Sequence, residues 1–297
     1  MHRAAIDIGS NSLLLTIVDE EGALVHDEAR VVGLGRGLGD RGLFQPERMK
    51  AAEAALSDYV QVARRHGIEP WSIRAVGTSA CRRAMNAETW TARIQRDLGV
   101  KIHIVSGADE ARLTWLGAGR DLELPEGPLL VVDLGGGSTE LVLGEGGAVE
   151  RHASLEVGSV RLTEEYLGTA LVDPAALTRL RRWVEVQVDR FSFVPAPRTV
   201  IGVAGSVTSL ATRVLGLDRY DADQVHGWGL TRSDLRRTID LLLPAGPEER
   251  RRLFPAAPDR ADYLLAAAVV LDEILHRARR QQLVVSDRGL RFGLLAY

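Results

Sequence analysis

The stretch Asp133-Leu-Gly-Gly-Gly-Ser-Thr-Glu140 combines a carboxylate at each end with three consecutive glycines and two hydroxyls. Glycine tolerates positive φ and has no Cβ, so successive backbone N–H groups can converge on an anion without spending side chains. Apolar segments flank it, Leu129 to Val132 before and Leu141 to Leu143 after, so it reads as the tight turn of a β-hairpin. The pattern occurs twice. Asp7-Ile-Gly-Ser-Asn-Ser12 lies between Ala4 to Ile6 and Leu13 to Val18, and matches Asp7 to Asp133, Gly9 to Gly135 and Ser12 to Ser138. A repeated strand, turn, strand unit predicts two similar domains, each offering one turn to a ligand held between them.

The chemistry that suits such turns is phosphate binding. Gly9, Ser10, Asn11 and Ser12 in one turn, and Gly135, Gly136, Gly137 and Ser138 in the other, are the candidate contacts. Aspartates at strand ends can hold Mg²⁺ (or Mn²⁺) against phosphate oxygens, and Asp7, Asp133 and Glu140 are the acids in place. A third glycine-serine turn, Ala204-Gly205-Ser206, follows the apolar run 199–203 and enters a helix in a way that presents backbone amides to a ligand. Hydrolysis of a bound phosphate would also need a group that orients or deprotonates water in line with the leaving oxygen, and few acids qualify. In Ser106-Gly-Ala-Asp-Glu-Ala-Arg-Leu113, Ser106 and Asp109 have capping-box spacing, and Asp109 and Glu110 fall in the first helical turn. Acids there complement the helix dipole and need no catalytic duty.

His-Glu-x-x-His, Gly-x-Ser-x-Gly and Walker-type Gly-x-x-x-x-Gly-Lys motifs do not occur. Zinc hydrolase, serine hydrolase and Walker ATPase chemistry are therefore disfavoured. Among seven histidines, only His226 in Val225-His-Gly-Trp228 sits in a purposeful-looking segment, and a structural histidine is the simpler reading.

Around these motifs the chain reads as an α/β protein. Each half runs as a three-strand meander followed by alternating helices and strands, which predicts mixed sheets and not an alternating barrel. Pro46 opens a helix to about His66, stopped by Gly67. Thr78 to Asn86 carries the Arg82-Arg83 pair into a helix ending near Gly99, another helix starts in 157–163, and Pro258 opens a long apolar one to about Arg279. Thr231 and Asp234 cap a further helix. The loop Gly33 to Gly42 reads as flexible, either facing the ligand or linking elements. Asp121 to Pro128, polar with two prolines, is a natural hinge, dividing the chain into domains 1–120 and 121–297.

At 297 residues and 45% hydrophobic, the chain can bury two ordinary cores. The longest apolar run, Leu264 to Leu271, is far short of the ~18 residues of a membrane span. Met1-His-Arg leads straight into a strand without a signal-peptide core, so a cytoplasmic location with no membrane partner is expected. The single cysteine, Cys81, excludes an internal disulfide and a cysteine-based metal cluster. It stands beside Arg82 and Arg83, which could lower a thiol pKa, but packing is its simpler duty. A net charge of −3 argues against nucleic-acid binding.

Six segments in this order resemble the exopolyphosphatase and guanosine pentaphosphate phosphatase family, within the actin, sugar kinase and Hsp70-like superfamily. They are Asp7 to Ser12, Thr78 to Arg82, Ser106 to Leu113, Asp133 to Leu141, Val225 to Gly227 and Val285 to Leu290. The resemblance runs nearly end to end. It implies two actin-like (ribonuclease H-like) domains around an interdomain cleft, with the last helix, about 288–297, packing back on the first domain. It implies Mg²⁺-dependent hydrolysis of the terminal phosphoanhydride of inorganic polyphosphate, with guanosine pentaphosphate or another phosphorylated nucleotide as the alternative substrate. A small-molecule kinase or a non-catalytic nucleotide sensor is less favoured, and a homodimer is left open. By carry-over, Glu110 positions the attacking water, reversing its bland reading. Arg82 meets phosphate, Asp133 and Glu140 organise the metal, and Gly202 to Ser206, with Gly205 and Ser206 as contacts, match the nucleotide-side motif. Three departures stand out: Asp109 replaces the usual Glu, Arg83 stands where an acid is common, and the C-terminal helical domains of longer members are missing. The last implies a preference for short chains.

Overall fold

The computed structural model describes residues 1–38 and 42–296, so Gly39 to Arg41 of the Gly33 to Gly42 loop, and Tyr297, lie outside it. The chain forms two compact units, Met1–Gly117 with Leu290–Tyr297, and Ala118–Gly289.

In the first unit, β1 (Arg3–Ile8), β2 (Ser12–Val18) and β3 (Leu24–Val31) form an antiparallel meander. Then come α1 (Pro46–Arg65), β4 (Arg74–Gly77), α2 (Ser79–Arg83), α3 (Ala87–Leu98), β5 (Ile102–Ile104) and α4 (Gly107–Ala118). The sheet order is β3-β2-β1-β4-β5, with β4 parallel to both β1 and β5. The apolar faces of β1 and β2 bury against α1 and α3 through Leu13, Leu15, Leu56, Tyr59, Trp90 and Ile94.

The segment Thr78 to Asn86, expected to lead into the helix ending near Gly99, holds a short helix of its own, α2, ahead of α3. The chain leaves helical geometry at Ala84, because the segment ahead of α3 is tied to a distant loop. Asn86 accepts from the Phe44 N–H at 2.9 Å and donates to the Phe44 carbonyl at 3.2 Å, and the Met85 N–H reaches Gly42 O at 2.8 Å. Such long-range bonds are invisible to helical periodicity.

The second unit repeats the plan with β6 (Leu129–Leu134), β7 (Thr139–Glu145) and β8 (Ala148–Leu155) as the meander. A short α5 (Ser159–Leu162) runs into one π turn, Thr163–Leu167. It is followed by α6 (Pro174–Val188), β9 (Thr199–Val203), α7 (Gly205–Val214), α8 (Ala222–Val225), β10 (Gly229–Thr231), α9 (Arg232–Leu242), α10 (Pro247–Leu253), α11 (Leu264–Arg277) and β11 (Gln282–Val285). The order β10-β11-β9-β6-β7-β8, read from β8, is the same meander followed by the parallel strands β9 and β11. Two mixed sheets of one topology, each flanked by helices, are the actin-like arrangement.

The helix expected from Pro258 begins as a 3₁₀ segment, Pro258–Tyr263, before becoming α11. All eight residues from Leu264 to Leu271 are buried, so α11 is hydrophobic all round and lies in the core. α12 (Leu290–Leu295) belongs to the first unit. Arg3 donates to Leu295 O at 2.8 Å, Arg74 to Leu294 O at 2.5 Å, and the buried Arg291 pairs with Asp27 and donates to Thr16 Oγ1 at 2.5 Å.

Candidate active site

The two glycine turns have the same internal geometry. The Gly9 N–H donates to Ser12 O at 3.0 Å, and the Gly135 N–H donates to Ser138 O at 3.0 Å. A Cβ on either glycine would stand 3.1 Å from that carbonyl, which is tight for any side chain. The strands feeding the turns share one burial alternation, with half-buried Asp7 and Asp133 just before a buried aliphatic residue. No backbone hydrogen bond engages the N–H of Ser10, Asn11, Gly136 or Gly137 among the described residues. Those donors are what an anion would use.

Each turn is held from behind by backbone arriving after the third strand of its meander. In the first unit, the Val32 and Gly33 N–H groups reach Asn11 O at 3.0 and 2.8 Å, and the Gly35 N–H reaches Ser10 O at 2.7 Å. The start of the Gly33 to Gly42 loop therefore fixes the turn. In the second unit, Ser159 N–H reaches Gly135 O, while Val160 and Arg161 N–H both reach Gly136 O, all at 3.0 Å. Gly158 lies so close that a Cβ would collide with the Gly136 and Gly137 backbone. The sequence signal for this was present: each meander is followed by a glycine, Gly33 or Gly158, but a glycine's packing partner cannot be read from its own neighbours.

The two turns differ in acids. Across β1 and β2, Asp7 faces Leu14; across β6 and β7, Asp133 faces Glu140. Glu140 is 2% exposed, and its Oε1 accepts from the hydroxyls of Ser138 and Ser154, both at 2.8 Å. Ser138 thus spends its one hydroxyl proton on Glu140 and turns lone pairs, not a donor, towards a ligand. Ser154 on β8 is exposed and carried no sequence signal of its own. Two opposed carboxylates beside a hydroxyl oxygen are the hard donors that Mg²⁺ or Mn²⁺ takes, with water and phosphate oxygens completing the shell. Among the described residues no three His, Cys, Asp or Glu side chains converge closely enough to hold a metal unaided. Asp133 and Glu140 belong to the second unit and Asp7 to the first.

Gly205 and Ser206 begin α7. The chain enters this helix through Ala204 at φ 79° and ψ 165°, a conformation natural to glycine and costing on the order of 1–3 kcal/mol. Ser206 Oγ is 3.2 Å from Ser159 Oγ, so the third turn and the backing of the second are joined by a hydroxyl pair. The Arg260 guanidinium packs on Gly205 where a Cβ would otherwise stand.

In the first unit, β4 delivers α2 beside the end of β1: the Thr78 N–H and hydroxyl both reach Ile8 O, at 3.2 and 3.3 Å. Arg82 on α2 donates through Nη1 to Val105 O at 3.1 Å and to Glu110. Ser106 caps α4, accepting from the Asp109 N–H at 3.1 Å, and its hydroxyl donates to the Asp109 carboxylate at 2.7 Å. The two first-turn acids are thus distinct. Asp109 closes the cap, whereas Glu110 is buried, 6% exposed, and paired with Arg82. Burial pushes the Glu110 carboxyl above its ordinary pKa, and the Arg82 charge and hydrogen bond only partly oppose this. Burial also pushes the Cys81 thiol up to about 12, so the neighbouring arginines leave it an inert core residue.

The model of the Ppx/GppA phosphatase family matches residues 15–297. The chain belongs to that family. Exopolyphosphatase 2 of Mycobacterium tuberculosis is 34% identical over 313 residues, covering 98% of this chain and 96% of the relative. The guanosine-5'-triphosphate,3'-diphosphate pyrophosphatase of Photobacterium profundum is 32% identical over 224 residues, covering 72% of this chain and 44% of the relative. The crystal structure of the Aquifex aeolicus Ppx/GppA family member aligns with a TM-score of 0.83 at 32% identity, covering 99% of this chain and 96% of that one. A Ppx/GppA phosphatase must bind phosphate groups and activate water.

His226 pairs with Asp287. Its Nδ1 lies 3.0 Å from Asp287 Oδ1, and Tyr220 donates to the other Asp287 oxygen at 3.1 Å. Although burial opposes it, the His226 hydrogen bond and the Arg288 charge hold the Asp287 carboxyl below its usual range.

Proposed function

We propose that this phosphoanhydride hydrolase of the Ppx/GppA family is a cytoplasmic exopolyphosphatase. It would release orthophosphate from the end of inorganic polyphosphate with Mg²⁺ or Mn²⁺ and favour short chains. The observation that carries the reading is the buried Glu110 carboxylate, raised in pKa and held by Arg82, in the same unit as a turn with unengaged amides. A carboxylate of raised pKa is a better base near neutrality than an ordinary one.

In this reading the turn amides and Arg82 bind phosphate oxygens, and Glu110 orients the water and takes its proton. The water oxygen bonds to the terminal phosphorus, the P–O bond to the next phosphate breaks, and the electron pair leaves on the bridging oxygen. Asp133 and Glu140, with Ser138, would hold the metal, which when bound supplies neutralisation of phosphate charge. Glu140 is kept oriented for this by its two hydroxyl donors.

Guanosine pentaphosphate is the second reading, supported by the likeness to the Photobacterium profundum enzyme. The relative covered almost completely, by contrast, is named an exopolyphosphatase. The test compares orthophosphate release from polyphosphates of defined length and from guanosine pentaphosphate under identical Mg²⁺. Faster turnover of short polyphosphate supports the proposal. A clear preference for the nucleotide replaces it with the second reading, and dependence on an added organic acceptor would point instead to a kinase.

A further inference from the structure

Arg82 and Glu110 are engaged with each other in a way that neither role, taken separately, requires. Nη1 of Arg82 is the donor both to Glu110 and, at 3.1 Å, to the Val105 carbonyl. Glu110 is 6% exposed, so this guanidinium is its charge partner in a setting where an unpaired carboxylate is costly. Among the described residues, Arg82 is the cation whose charge acts on the Glu110 carboxyl. Asp109 precedes Glu110 on α4 and is bonded to Ser106; Cys81 on α2 is a neutral thiol whose field includes Asp7 of β1.

A nitrogen committed to a carboxylate cannot at the same time bind a phosphate oxygen in good geometry. We propose that Arg82 is a partner-exchange switch: it pairs with Glu110 while the site is empty and moves to an incoming phosphate oxygen, leaving the carboxylate to the attacking water. The switch rests on the reading above, in which Arg82 meets phosphate and Glu110 meets water. Guanidinium binds phosphate at least as well as carboxylate, so the exchange trades one charge-assisted hydrogen bond for another. The Val105 carbonyl keeps the side chain anchored as it moves. A buried carboxylate that loses its cation gains proton affinity, so phosphate binding itself sharpens the base. Glu110 would be quenched by Arg82 until a substrate displaces it, which protects an empty site from idle proton chemistry.

The exchange links ligand binding to proton uptake at Glu110. Calorimetric titration with methylenediphosphonate, whose P–C–P bridge is not hydrolysed, in two buffers of different ionisation enthalpy at mildly acidic pH counts the protons taken up. Wild type should take up more protons per ligand than Glu110→Gln, by up to about one, the limit for a single titrating group. Equal uptake in the two proteins would overturn the switch. A kinetic measurement on wild type alone guards against a variant that fails to fold. The acidic limb of kcat, which reports the bound enzyme, should lie at higher pH than the acidic limb of kcat/KM, which reports the free enzyme. Coincident limbs in an enzyme that releases orthophosphate from polyphosphate would refute the switch while leaving the functional reading intact. Absence of orthophosphate release would remove that reading and the switch together.

Discussion

Replacing Gly158 by alanine isolates the packing that backs the second turn. Gly158 sits at φ −79° and ψ 150°, extended backbone that any residue adopts, so alanine brings no torsional penalty. Its Cβ would, however, collide with the carbonyl carbons of Gly136 and Gly137 and the Gly136 oxygen, none of which can swing aside as a side chain could. Either α5 retreats or the turn does, and in both cases the bonds from Ser159, Val160 and Arg161 to the turn carbonyls stretch. Forced overpacking costs about 1–3 kcal/mol. At roughly 2–4 °C per kcal/mol for a unit of this size, the melting temperature should fall by about 2–12 °C. Because the displaced atoms belong to the turn, KM for polyphosphate should rise as well. Gly146→Ala is the control: φ is +58° with nothing within 4 Å, so it costs only the left-handed penalty of about 1–2 kcal/mol. That variant should melt lower with unchanged KM. Thermal melts and steady-state kinetics on both read the result. A Gly158→Ala protein with wild-type melting temperature and KM would refute the packing described for the turn.

The raised pKa of Glu110 predicts that kcat/KM falls as pH drops through a value above the ordinary carboxylate pKa of about 4.3, since the base must be ionised. The stability contribution of the same group has the opposite sense: the folded state holds the proton more tightly, so stability declines as pH rises from the unfolded towards the folded pKa. A pH–rate profile with its limb at or below the ordinary value would contradict the burial of Glu110. Ser154→Ala removes one of the two donors to Glu140, a bond to a charged group of about 1.5 kcal/mol or more, and should raise the Mg²⁺ concentration for half-maximal activity about tenfold; Ser154→Thr should restore it. Thr231→Ala breaks a complete capping box at the start of α9 and should cost about 0.5–2 kcal/mol in denaturant titrations while leaving turnover unchanged.

Local chemistry made much of this architecture legible. The duplicated acid, glycine and serine pattern gave both hairpin turns, and the structure shows them built on one internal hydrogen bond. The spacing of Thr231 and Asp234 gave a cap that is present as a full capping box. Hidden from the sequence were relations between distant residues. Nothing near Asn86 shows that its amide bridges Phe44 between α2 and α3. Nothing near Ser138 shows that its proton goes to Glu140, and only the family resemblance, not helix position or capping chemistry, set Glu110 apart from Asp109. Adjacent positions on a helix point about 100° apart, so one acid closes the cap while the next enters the interior beside Arg82.

The assignment of the chemistry to Glu110 is tested most directly by orthophosphate release from short polyphosphate in Mg²⁺, wild type against Glu110→Gln. The substitution keeps the shape of the side chain and removes its capacity as a base. Turnover should fall roughly 10²- to 10⁴-fold with substrate binding retained. Turnover within a factor of about two of wild type would take Glu110 out of the mechanism.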